Sequence, residues 1–134
     1  MSYNTFRETL VAFAEELEKV LNVFEVFLKT HDINYARELP FLLTRTGMVF
    51  HGEFTEYSHS VLARSLLEAG SKVRERVGIM EERGVTSEDL EYFRDIYNVF
   101  MHIYLSIKSG EYEECFHKMM EKRETGKRVK GDLS

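Results

Sequence analysis

Two Glu-x-x-His pairs, Glu56 with His59 and Glu114 with His117, are the residues of this 134-residue chain best spaced for chemistry. A separation of three places both side chains on one face of a helix. Di-metal carboxylate bundles present two such pairs and add one glutamate from each of two further helices. The order along the chain accommodates that set, with acids on a first and a fourth helix and the pairs on a third and a fifth. Composition weighs against it, because 19 Glu and five His produce about one such pair by chance. Position weighs further. The first helix has no acid in its apolar seam, and Glu114 and His117 fall on the polar side of a short terminal helix. Glu56 and His59 are thus the metal-ligand candidates, for a transition metal. The simpler role for His59, which projects near a core edge, is that of a hydrogen-bonded structural histidine.

The remaining constellations are weaker. His102 shares a stripe with Asp95, Asn98, Glu91 and Arg94, the composition of a solvated helix face. Cys115 stands alone, with His117 directed elsewhere around the helix, and reads as an inert thiol. The glycines are too dispersed for a phosphate loop, and Gly-x-Ser-x-Gly and Cys-x-x-Cys do not occur. No catalytic residue and no cofactor is assigned, so a non-enzymatic role is the expectation. In size and helix content the chain is similar to the small HEPN-type helical proteins, whose RNase members carry Arg-x(4–6)-His. Arg45 and His51 fit that spacing, and the resemblance implies a nucleic-acid-associated helical protein as one alternative. Its activity is not carried over, since ten Arg and five His yield about one such match by chance.

The elements that would position these residues are helices. Thr5 and Glu8 have capping-box spacing, and Phe6, Leu10, Phe13, Leu17, Val20, Phe24 and Phe27 follow at alternating separations of four and three. This sustained 3.5-residue repeat predicts a helix over about residues 5–29 packed nearly antiparallel to its neighbours. Residues 35–51 read as helical but kinked at Leu39-Pro40, with a second short piece ending near Gly52. A third helix is predicted from about 54 to 83, with Leu62, Leu66, Ala69, Val73, Val77 and Met80 inward and Gly84 as its stop. Along its edge Ala63 and Gly70 are small enough for close helix approach, which local packing explains. Thr86 as N-cap, Asp89 at N3 and a Val85–Leu90 staple open a fourth helix ending near Lys108. A short fifth helix is expected at about 111–124, with Tyr112, Phe116, Met119 and Met120 inward.

The fourth helix is too apolar for one wall of a bundle. Its polar residues occupy about a third of the wheel, whereas a surface helix needs an apolar arc only somewhat over 100°. It is therefore either central in a monomer or covered by another chain, and a two-fold homodimer is the favoured expectation. The interface candidates are Tyr92, Ile96, Val99 and Ile103.

Composition agrees with this architecture. Apolar residues make up 43% and charged residues 31% of the chain, and no apolar run reaches the length of a membrane span. The lone Cys115 and the charged start of the chain point to a reducing, cytoplasmic setting. Net charge is −5. Residues 118–134 hold six Lys/Arg against three acids, so the rest of the chain is strongly acidic. That excludes a broad nucleic-acid surface and confines any such contact to the tail. The absence of Gln and the wealth of Glu, Lys and Arg lean toward a thermophilic source. The expectation is an all-α antiparallel bundle of four to five helices, with three long heptad-patterned helices and a Pro-kinked segment. It spans 1–125 as one domain, and 126–134 form a basic, frayed tail. Its predicted role is self-association or protein-partner binding, with the metal-binding bundle and the nucleic-acid protein as alternatives.

Overall fold

The computed structural model describes residues 5–133, with side chains described through Arg123. Five helices follow one another through short turns: α1 (Phe6–Thr30), α2 (Ile33–Thr55), α3 (Val61–Arg83), α4 (Ser87–Lys108) and α5 (Glu111–Leu133). No strand occurs among the described residues. The protein is the all-α bundle its periodicity predicts.

Side-chain contacts fix the helix directions. Arg37, early in α2, pairs with Glu81, late in α3, at 2.9 Å. Phe27, late in α1, meets Phe93, early in α4, at a ring-centroid distance of 4.8 Å. Phe6 at the start of α1 lies against Phe54 at the end of α2. Consecutive helices therefore run antiparallel, with α1 between α2 and α4 and α3 beside α2.

The heptad seam of α1 is the centre of the core. Phe6, Leu10, Phe13, Leu17, Val20, Phe24 and Phe27 are all buried. Each such side chain contributes about 1.5–3 kcal/mol on leaving water. The helix starts where the sequence indicates, with Thr5 Oγ1 accepting the Glu8 N–H at 3.0 Å. Tyr97 OH of α4 donates to Glu25 Oε1 of α1 at 2.5 Å and ties the two helices on the polar edge of their contact.

Two boundaries differ from expectation. Helix α2 passes through Pro40 as one helix, where two short pieces joined by a kink at Leu39-Pro40 were expected. An interior proline costs about 3 kcal/mol, but α2 buries Ala36, Leu39, Pro40, Leu43, Phe50 and Phe54. That burial outweighs one missing hydrogen bond and the ring's steric conflict. The same apolar stripe carries α2 past Gly52 to Thr55, so the turn falls at residues 56–60 and α3 starts seven residues later than predicted. Helix α5, expected to end near 124, continues to Leu133; the side chains of the basic tail at 126–134 lie outside the described residues.

Helices α2 and α3 approach each other most closely. A Cβ built on Gly70 would sit 2.6 Å from Thr44 Oγ1 and 3.3 Å from Thr44 N, so only glycine fits at this crossing. The small-residue edge of α3 is thus explained by packing inside the bundle. Helices α3 and α4 touch far less. Of the residues of α4 only Asp89, Phe93 and Phe100 are fully buried, so α4 lies on the rim of the bundle and not at its centre. Among the described residues no helix is long and apolar enough to cross a membrane.

Candidate functional site

Chemistry-bearing side chains gather in three places: the turn before α3, the seam between α3 and α4, and the junction of α3 with α4. The first contains the proposed metal ligands. Glu56 is the C-terminal cap residue of α2 and is exposed. His59 lies in the following turn, past Ser58 in the left-handed region at φ 56°. The chain turns between them, with the His59 N–H bonded back to Phe54 O at 3.1 Å, so the two do not share a helix face. The expected geometry fails because the inward stripe of α2 runs on to Phe54. The second pair is on α5, where both members are exposed: Glu114 binds Lys118 at 3.2 Å, and His117 approaches Glu113 at 3.7 Å. Among the described residues no group of three or more His, Cys, Asp or Glu is placed to hold a metal ion.

His59 is instead enclosed by aromatics. It is 8% exposed. Phe6, Phe54, Phe116 and Tyr112 present ring contacts to it at 5.5–6.0 Å. Its Nε2 is 2.6 Å from the hydroxyl of Tyr112. Burial, and secondarily the positive charge of Arg123, pushes the imidazole below its ordinary range. The ring is accordingly neutral near pH 7, and the Tyr112 hydroxyl is its partner. Burial, reinforced by Cys115, pushes Tyr112 up to about 12. This histidine docks α5 onto the mouth of the bundle, where Phe116 stacks on Phe6 with ring centroids 3.9 Å apart.

Beside this cluster opens a cleft of about 420 Å³. Arg64 and Arg123 line it together with Val61, Met119, Cys115 and Ser58. The sequence placed Tyr112 and Phe116 inward. It missed the cleft because a helix beginning at 54 would have carried His59 and Arg64 on continuous helix instead of across a turn.

The four interface candidates lie on the flank of α4 that faces α3. Tyr92, Ile96 and Ile103 are half-buried, and Val99 is 58% exposed. Ile96, Val99 and Phe100 form one wall of a groove of about 200 Å³, with Ser65, Ala69 and Lys72 of α3 opposite. At the Tyr92 end the seam is closed, since the Arg76 guanidinium lies 4.3 Å from the ring centroid. Elsewhere the flank has too little of α3 against it to be buried. Leu105 is 56% exposed on the opposite flank of α4.

Asp89, fully buried, is the best-satisfied polar group. Its Oδ2 accepts from Thr86 N at 2.9 Å, completing the capping box, and its carboxylate receives both terminal nitrogens of Arg83 at 2.8 and 3.0 Å. Arg76 adds a contact at 3.2 Å. Led by the Arg83 hydrogen bonds, these partners hold the carboxyl well below the usual carboxylate range. The cap was legible in the sequence, but the two arginines of α3 were not. Their closed arrangement around one buried carboxylate is structural.

Arg45 and His51 are both exposed on α2. A separation of six residues, at about 100° each, leaves them on different faces of the helix. Arg45 lies 5.9 Å from the Phe41 ring centroid. No family model matches the chain, and neither a curated protein nor a solved structure matches it.

Proposed function

We propose that the protein acts by self-association, the open α3–α4 seam receiving α4 of a second copy in a two-fold, antiparallel pair. The observation that carries this reading is the unfinished burial of α4. Tyr92, Ile96, Val99 and Ile103 form a contiguous flank that its own bundle leaves half-covered, with Val99 58% exposed. A bundle helix reaches full burial on such a flank only against another helix.

A second copy suits the surface better than an unrelated partner. A two-fold contact sets the same flank against itself, so the stripe Tyr92, Ile96, Val99 and Ile103 of each copy covers that of the other. A specific interface takes about 800 Å² from each partner. That is close to a tenth of the 8517 Å² surface of the chain, within what one helix and its groove supply.

The test is a charge placed in the seam. Val99→Glu should convert the dimer to monomer by light scattering. Val11→Glu, at a position 52% exposed on α1, should leave it intact. Equal masses for the two variants would refute the assignment of the interface.

A further inference from the structure

The cleft at the mouth of the bundle has no part in the self-association just described, and its composition is unlike the rest of the molecule. The chain carries 23 acidic residues and a net charge of −5, yet none of the described residues lining this cleft is Asp or Glu. Two arginines line it, Arg64 from α3 and Arg123 from α5. Neither has a hydrogen-bond or ion-pair partner among the described residues, while Arg7, Arg37, Arg76 and Arg83 each hold a carboxylate. Both arginines border one concavity with no carboxylate partner among the described residues, so an anion bound there would face two positive charges. Val61, Phe116 and Met119 give the lining an apolar part, beside Ser58, Ser60, Cys115 and the hydrogen-bonded Tyr112–His59 pair. A volume of about 420 Å³ lies in the range of small-molecule pockets.

We infer that this cleft binds a small phosphate monoester, its phosphate held between Arg64 and Arg123 and its aromatic or short aliphatic body against Val61, Phe116 and Met119. A phosphate monoester carries close to two negative charges near neutral pH, which matches the two guanidiniums. The planar guanidinium fork suits its oxygens geometrically as well. Because Arg64 and Arg123 come from different helices, an occupied cleft also clamps α5 to α3.

Phenyl phosphate is the probe, with benzyl alcohol and inorganic phosphate as partial probes that lack the charge or the body. Two readouts localise binding: amide shifts of residues 58–64 and 112–123, and the rate at which N-ethylmaleimide alkylates Cys115, the only cysteine in the chain. Phenyl phosphate should give saturable shifts confined to these segments and slow the alkylation. Each partial probe should bind at least about tenfold more weakly. The double variant Arg64→Gln/Arg123→Gln alters exposed side chains only, so its melting curve should match the parent, and its affinity should fall at least about tenfold. Benzyl alcohol or inorganic phosphate binding as tightly as phenyl phosphate would overturn the inference. So would a folded double variant with undiminished affinity.

Discussion

At the scale of single residues, two buried titratable groups make opposite demands on the protein. Asp89 is stabilised as an anion by Arg83, Arg76 and the Thr86 N–H. Its folded pKa lies below its unfolded value, so the unfolded chain binds the proton first. The stabilisation is complete above about pH 4 and is lost as pH falls through the folded value. Asp89→Ala removes a cap and leaves two arginines unpaired; urea denaturation at neutral pH should show a loss of about 2–4 kcal/mol. His59 is stabilised as a neutral ring by burial among Phe6, Phe54 and Phe116, so its folded pKa is also lowered. Stability from this site is full above about pH 6.5 and declines as pH falls through the folded value. Protection factors of the amides in the first turns of α5, corrected for the intrinsic exchange rate at each pH, should therefore fall between pH 7.5 and 5.5 by more than those in α1; equal responses would show that His59 does not dock α5. Tyr112→Phe removes the partner of His59 Nε2 and should cost about 1–2 kcal/mol by the same denaturation measurement.

At the scale of helices, glycines of the same helix differ in sign. Gly70→Ala drives a methyl group to 2.6 Å from Thr44 Oγ1 and should destabilise by about 1–3 kcal/mol. Gly78, exposed on the same helix with nothing within 4 Å of a built Cβ, should gain about 0.5–1 kcal/mol on replacement by Ala. Thermal melts of the two variants decide the matter. The legible elements were those whose signals are local. The seven seam residues of α1 repeat in sequence as they pack in space, and Thr86 with Asp89 encodes a cap within four residues. The α2–α3 boundary was misread because Pro40 and Gly52 are local breakers, whereas the burial of Phe50 and Phe54 that overrides them is tertiary. That error displaced His59 from a turn to a helix and made Glu56 and His59 resemble a ligand pair. The cleft had no sequence signal at all, since Arg64 and Arg123 are 59 residues apart and meet only through the docking of α5.

At the scale of the whole molecule, the bundle is well closed on three sides and incomplete on the fourth. Helix α1 buries its seam completely, and α2 and α3 lock through Gly70. Helix α4 has Phe93 and Phe100 inside and Val99 outside. The excess apolar arc of α4 was readable from the wheel, as was the choice between a central and a covered helix; α4 lies on the rim, where the proposed second copy would cover it. Sedimentation equilibrium of the unmodified protein tests this most directly. A single species at twice the 15.8 kDa chain mass is expected at about 50 μM, an ample concentration for an interface of standard size. A species at the mass of one chain at that concentration would contradict it.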